Sequence, residues 1–139
     1  MITCVFCQIV AKKEPARVVF EDKLCLAFLD KYPKSRGHLQ LIPKIHYRWI
    51  YEMPNMGEFF TAAGRLIRGI IPILGADHVT IATFGHEIEH AHVWIVPHYL
   101  SKVRIQEFMR PSEINQNKEL AEMLQQALLK EVLETNGNS

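Results

Sequence analysis

Apolar positions along the chain fall into short strand-like runs and two long helical stripes. Arg17–Glu21 and Leu24–Leu29 are brief apolar runs parted by Asp22-Lys23, a turn signal, and predict a β-hairpin. His38–Pro43 (HLQLIP) predicts another strand, closed by Pro43, after a loop from Pro33 to Gly37. Between Pro54 and Ile71 the apolar residues Met56, Phe59, Phe60, Ala63, Leu66, Ile67, Ile70 and Ile71 recur at helical spacing, and Pro72 is expected to end or kink that helix. Two further strands are expected over Val79–Phe84 and Ala91–Pro97, joined by Gly85–Glu89. A Leu-rich tail, roughly 111–134, carries Leu120, Met123, Leu124, Ala127, Leu128 and Val132 at helical spacing. Near the N-terminus, Phe6, Ile9 and Val10 mark a short helical turn. About five short strands with one central and one C-terminal helix predict an α+β fold with an antiparallel sheet, in one domain over residues 1–139.

Composition narrows the function. Apolar residues make up 48% of 139 residues, enough for a core without disulfide staples. The net charge is +1 and no long basic run occurs, which argues against a nucleic-acid polymer or membrane surface as partner but permits a small anionic substrate. No leader and no bilayer-spanning apolar run are read from the sequence, so a soluble, cytoplasmic protein is expected. Three cysteines, Cys4, Cys7 and Cys25, do not suggest a disulfide framework. Cys25 lies in an apolar run and reads as a small core residue.

The segment His90-Ala91-His92-Val93-Trp94 carries the strongest chemical signal. In a strand, His90, His92 and Trp94 would share one face and Ala91, Val93 and Ile95 the other. Two hydrogen-bonded histidines on a half-exposed strand are one reading; a functional row of rings is the other. Cys4 and Cys7 form a CxxC pair, open to redox or metal chemistry, but no βαβ pattern surrounds it. Zinc favours four Cys and His ligands, and two histidines such as His46 and His90 could complete a closed Cys2His2 set.

Four motifs together resemble the histidine triad (HIT) superfamily in order and spacing, over about residues 4–97. They are Cys4-Val5-Phe6-Cys7-Gln8-Ile9-Val10; Val19–Asp22 with Leu26–Asp30; Gly37–His46; and Gly85–His92. The resemblance is to the zinc-bearing bacterial-type branch. It implies a HIT-like α+β fold, paired as a homodimer. It also implies that His92 is a nucleophile that attacks the α-phosphorus of a nucleoside phosphoramidate or dinucleoside polyphosphate, forming a nucleotidyl-histidine. Structural Zn2+ would sit on Cys4, Cys7, His46 and His90. Asp30 matches the residue that holds the ribose, and Phe6 and Phe28 match walls of the base pocket for a purine nucleotide. His38 matches a further active-site histidine; Gly85, His86 and Glu87 fall near the phosphates. A neutral imidazole suits this role, being a good nucleophile and then a good leaving group near neutral pH.

The chain departs from the family pattern at three places. Trp94 stands where the third histidine is expected, and an indole has one N–H donor and no titratable proton. The loop between Ile81 and Gly85 is short and lacks the usual Asn. His98 follows Pro97 where Arg is common; eight residues of strand, about 26 Å, would separate it from His90. Besides a hydrolase or nucleotidyltransferase, two readings follow: a nucleotide-binding sensor without turnover, or a zinc-stabilised interaction protein.

Overall fold

The computed structural model describes residues 4–99 and 114–137. The elements run α1 (Val5–Val10), β1 (Val18–Glu21), β2 (Cys25–Leu29), β3 (Leu39–Pro43), a 3-10 turn (Ile50–Glu52), α2 (Met56–Leu74), β4 (His78–Ala82), β5 (Val93–His98) and α3 (Lys118–Gly137). The five strands form one sheet in the order β1-β2-β3-β5-β4, with every neighbouring pair antiparallel. The α+β architecture is the one the pattern predicts. The β1–β2 hairpin turns where Asp22 accepts the backbone N–H groups of Leu24 and Cys25, at 2.7 and 2.8 Å, the local bonding that makes Asp a turn residue.

Both central strands β2 and β3 are buried along their whole length, and alternation sends their side chains to two different environments. Cys25, Ala27, Leu29, Leu39 and Leu41, with Val93 and Ile95 of β5, join one apolar core with Phe59, Ala63, Leu66 and Ile70 of α2 and Leu120, Leu124 and Leu128 of α3. The opposite face carries Leu26, Phe28 and Ile42, which pack on Phe6 and Ile9 of α1. That second face bears the chemistry described below.

Most strand ends shift by a residue or two from the sequence pattern, β4 ending at Ala82 rather than Phe84, and three boundaries differ for a visible reason. Pro72 lies inside α2, and the helix runs on to Leu74 before Gly75 takes the left-handed conformation at φ +69°. Leu74 is buried and stands against Gly37, where a Cβ would lie 2.6 Å from its Cδ1; that contact keeps the last turn wound despite the missing proline N–H. The C-terminal helix begins at Lys118, where the Asn117 side chain accepts the Leu120 N–H at 3.0 Å. Residues 114–117 are not helical, and 111–113 lie outside the described residues. The last strand starts at Val93 rather than Ala91. Upstream of it the backbone has other partners: the Ala91 N–H donates to the Tyr47 carbonyl at 2.7 Å, and the Thr83 hydroxyl donates to the His92 carbonyl at 2.7 Å. Among the described residues, no helix is long and apolar enough to cross a membrane.

Candidate functional site

Two centres share the second face of the sheet. The first joins the start of α1, the chain after β3 and the approach to β5. Cys4, Cys7, His46 and His90 present one ligand atom each, all within 4.8 Å of one another. Cys7 Sγ lies 3.2 Å from His46 Nδ1 and 3.5 Å from His90 Nδ1, and Cys4 Sγ lies 3.4 Å from His90 Nδ1. Tetrahedral zinc with ordinary Zn–S and Zn–N bonds sets ligand atoms about 3.3–3.8 Å apart. The donor set therefore has the chemistry and spacing to hold such a metal. The buried His90 ring is fixed for this: its Nε2–H donates to the Pro43 carbonyl at 2.9 Å, which leaves Nδ1 with its lone pair toward the cysteines. Burial lowers the His90 pKa, the bond to Pro43 opposes, and the neighbouring His46 and His92 lower it further. The Cys7 thiol is pushed up to about 11 by burial and by the hydrogen bond and charge of Cys4, a cost that a bound cation would reverse.

The second centre is a cavity of about 1040 Å³ beside the first. It is lined by Phe6, Ile9, Phe28, Asp30, Gln40, Gly85, His86, Glu87, His92 and Trp94, among others. Phe6 of α1 stands between the two centres, edge-on to Phe28 at 5.3 Å and to both His90 and His92 at 5.8 Å. His92 is 5% exposed, and its Nδ1–H donates to the carbonyl of His90 at 2.8 Å. The tautomer this bond selects leaves Nε2 unprotonated. That carbonyl is available because the chain at His90 has left the β-ladder. Burial lowers the His92 pKa; the bond to His90 and the charge of Asp30 oppose, and Arg48 adds to the lowering. The ring is thus held neutral rather than as an imidazolium, with the Nε2 lone pair unprotonated.

Asp30, just past β2, is held by several partners. One carboxylate oxygen accepts the Tyr32 N–H at 2.7 Å; the other accepts the Gln40 side-chain N–H at 2.7 Å and lies 3.6 Å from His38 Nε2. His38 does not line the cavity. It is wholly buried, its Nδ1 accepts the Lys34 N–H at 3.0 Å, and its ring lies 4.8 Å from Trp94. Burial lowers its pKa to about 4, against the opposing charge of Asp30, so it is neutral. Trp94 lies between His38 and Phe84, whose ring is 4.9 Å away. Gly85 packs so closely on Trp49 that a Cβ there would come within 2.3 Å of the indole, while His86 and Glu87 on the same loop are exposed. His98 stacks on His78 at 4.5 Å and bonds Thr80 at 2.7 Å, at the far end of β5 from His90.

The sequence pattern misses two glutamines. Gln40 alternates with apolar residues in HLQLIP, a signal visible in the sequence. Gln116 has no such signal. It is buried, accepts the Gly37 N–H at 2.7 Å, and donates to the carbonyls of His38 at 2.8 Å and Asp30 at 3.1 Å.

Known proteins share this architecture and sequence. An uncharacterized HIT-like protein of Methanocaldococcus jannaschii is 32% identical over 127 residues, covering 86% of this chain and 98% of its own. The adenylylsulfatase HINT3 of Arabidopsis thaliana is 33% identical over 101 residues, covering 68% of this chain and 51% of its own. A zinc-bound histidine triad family protein from Mycobacterium smegmatis superposes with a TM-score of 0.76 at 28% identity, covering 96% of this chain and 97% of that one. With the HIT domain matching residues 11–101 around the two centres just described, the chain belongs to the HIT family.

Proposed function

We propose that this protein is a nucleotide hydrolase or nucleotidyltransferase, acting at the α-phosphorus of a purine nucleoside phosphoramidate or dinucleoside polyphosphate through a nucleotidyl-His92 intermediate. The observation that carries the reading is the bond from His92 Nδ1–H to the His90 carbonyl, which leaves the Nε2 lone pair free in a ring lining the cavity. Nε2 attacks phosphorus, the bond from phosphorus to the leaving nitrogen or oxygen breaks with its electron pair going to the leaving atom, which takes a proton from solvent, and the ring becomes a phosphorylated imidazolium. Water then attacks phosphorus, the Nε2–P bond breaks, a proton is released, and the ring returns to its neutral form. The nucleoside is assigned to the Phe6–Phe28 wall, its ribose to Asp30, and its phosphates to Gly85, His86 and Glu87. Trp94 stands beside the reacting phosphate with a single N–H. Cys4, Cys7, His46 and His90 would hold structural zinc, which fixes the chain two residues before His92 and so its aim.

The whole chain is read as one domain, located in the cytoplasm and working as a homodimer. Strand β4, whose outer edge has no strand partner among the described residues, and its exposed Ile81 support pairing with a second copy; light scattering at micromolar concentration checks it. The test of the chemistry is incubation with adenosine 5′-phosphoramidate, followed by acid-free mass spectrometry. The wild type is expected to form an adduct on His92, and His92→Ala to lose turnover by about a thousandfold or more while folding normally. Comparable turnover by His92→Ala overturns the nucleophile. The second reading, a sensor, is favoured by Trp94 in place of a titratable ring; nucleotide binding without any adduct would establish it.

A further inference from the structure

Arg48 holds a charge that the reaction described above does not use. It follows the metal-side His46 by two residues, and the preceding Tyr47 carbonyl is tied to the Ala91 N–H, so it flanks the segment that carries His92. Its guanidinium carbon lies 4.0 Å from the ring of Trp49, and that indole in turn presses on Gly85. Nη1 stands 3.1 Å from the position a Cβ on Gly85 would take. It is shut off from solvent and has no hydrogen-bond partner among the described residues. The nearest anion, Glu89, lies 3.9 Å from Nη2, too far for a hydrogen bond, and is itself exposed. The side chain as a whole is 30% exposed, but an N–H of a charged group shut off from solvent without an acceptor is costly and calls for an explanation. On the cavity side of the same loop stands the carboxylate of Glu87, whose charge would repel a phosphate.

We infer that Arg48 is a positioning residue for anionic ligands: backed by Trp49, it places a fixed positive charge behind the Gly85–Glu87 loop and makes the cavity select a phosphate-bearing nucleoside over an uncharged one. Glycine at 85 is what lets the guanidinium and indole stand that close to the loop backbone. The charge acts through the loop, since Arg48 does not line the cavity. It also offsets Glu87, so the loop presents a net attraction where the phosphate arrives.

This inference rests on the nucleotide reading of the cavity, and calorimetric binding of AMP and adenosine separates the two. In Arg48→Met, AMP binding is expected to weaken by about tenfold while adenosine binding stays within about twofold, because one unit charge is lost at short range. Arg48→Lys, which keeps the charge without the planar fork, is expected to recover most of the AMP affinity. Equal weakening of both ligands would make Arg48 a packing residue and overturn the inference; so would AMP binding that both variants leave unchanged. If the wild type binds neither ligand, the nucleotide reading fails and this inference with it. If the wild type binds both and only AMP is lost in Arg48→Met, the inference holds whether or not any adduct forms.

Discussion

The two faces of the sheet are built on different principles. The face toward α2 and α3 is uniformly apolar, with Leu39, Leu41, Val93 and Ile95 closing on Phe59, Leu66, Ile70 and Leu124. The face toward α1 buries His38, Gln40, His90 and His92 and satisfies them with specific bonds to Pro43, His90 and Asp30. The first face draws its stability from non-directional burial. The second spends directional bonds to hold rings in one tautomer and one orientation, and it tolerates orphans at His38 Nε2 and Gln40 Oε1. Apolar packing and directional polar bonding are thus separated across one sheet, and the faces are expected to respond differently to substitution.

The largest effect expected is on the apolar face. Phe59 is wholly buried, and Phe59→Ala should cost about 3–5 kcal/mol in urea unfolding. At low denaturant the folded fraction should keep its metal stoichiometry; loss of metal in folded Phe59→Ala would show that the faces are not separable. On the other face, His38 makes stability depend on pH. Its folded pKa of about 4 lies below the ordinary 6.5, so the unfolded chain binds a proton first as pH falls. Its contribution is intact above pH 6.5, declines between 6.5 and about 4, and is at most about 3 kcal/mol. Unfolding titrations at pH 7, 5.5 and 4.5 should show this decline, and His38→Asn should flatten it. An unchanged slope in that variant would assign the decline elsewhere.

Metal removal should cost somewhat less. With free zinc about a hundredfold above its dissociation constant, binding stabilises by about 2.7 kcal/mol. Chelation should lower the melting temperature accordingly, and Cys4→Ser should reproduce the loss and no longer respond to chelator. Full stability of metal-free protein would mean that the four donors pack without a cation. The smallest effect is expected at Trp94. Trp94→His introduces a group able to share a proton with the leaving atom, and phosphoramidate hydrolysis should hold level or rise by about tenfold or less. A fall would show that the indole itself takes part in the site.

Periodicity made most of the architecture legible. The unbroken apolar run Leu24–Leu29, buried on both faces, and the run His38–Pro43 located the central strands, and the Met56–Ile71 stripe located α2, because burial of one helix face imposes a repeat. What periodicity could not supply were tertiary contacts. Nothing near Pro72 announces that Leu74 will be held against Gly37, and nothing in Ala91-His92 announces that Tyr47 and Thr83 will take their backbone groups. In the site, Cys4, Cys7, His46 and His90 were legible as candidate ligands by residue type, but only the HIT resemblance implied them as one set, since their spacing does not dictate that they converge. His38 was expected at the substrate and stands behind the cavity wall instead. Arg48 was illegible for a different reason: its significance lies in a missing partner, and no sequence records an absence.

Gln116 carries a consequence for where the functional unit ends. Its one amide bonds Gly37, His38 and Asp30, yet it lies outside the family-matched residues 11–101. The backbone carbonyl of Asp30, whose carboxylate lines the cavity, is therefore bonded by chain beyond the residues that the HIT domain matches. These bonds tie the chain just before α3 to the β2–β3 connection, so undocking of the one is expected to expose the other. The Gly37 amide, whose acceptor is the Gln116 side chain, becomes a natural hydrogen-exchange reporter of whether the tail is docked. A change in the C-terminal segment would, by that linkage, alter the backbone beside Asp30 at the cavity without touching a residue of the motifs in 4–97.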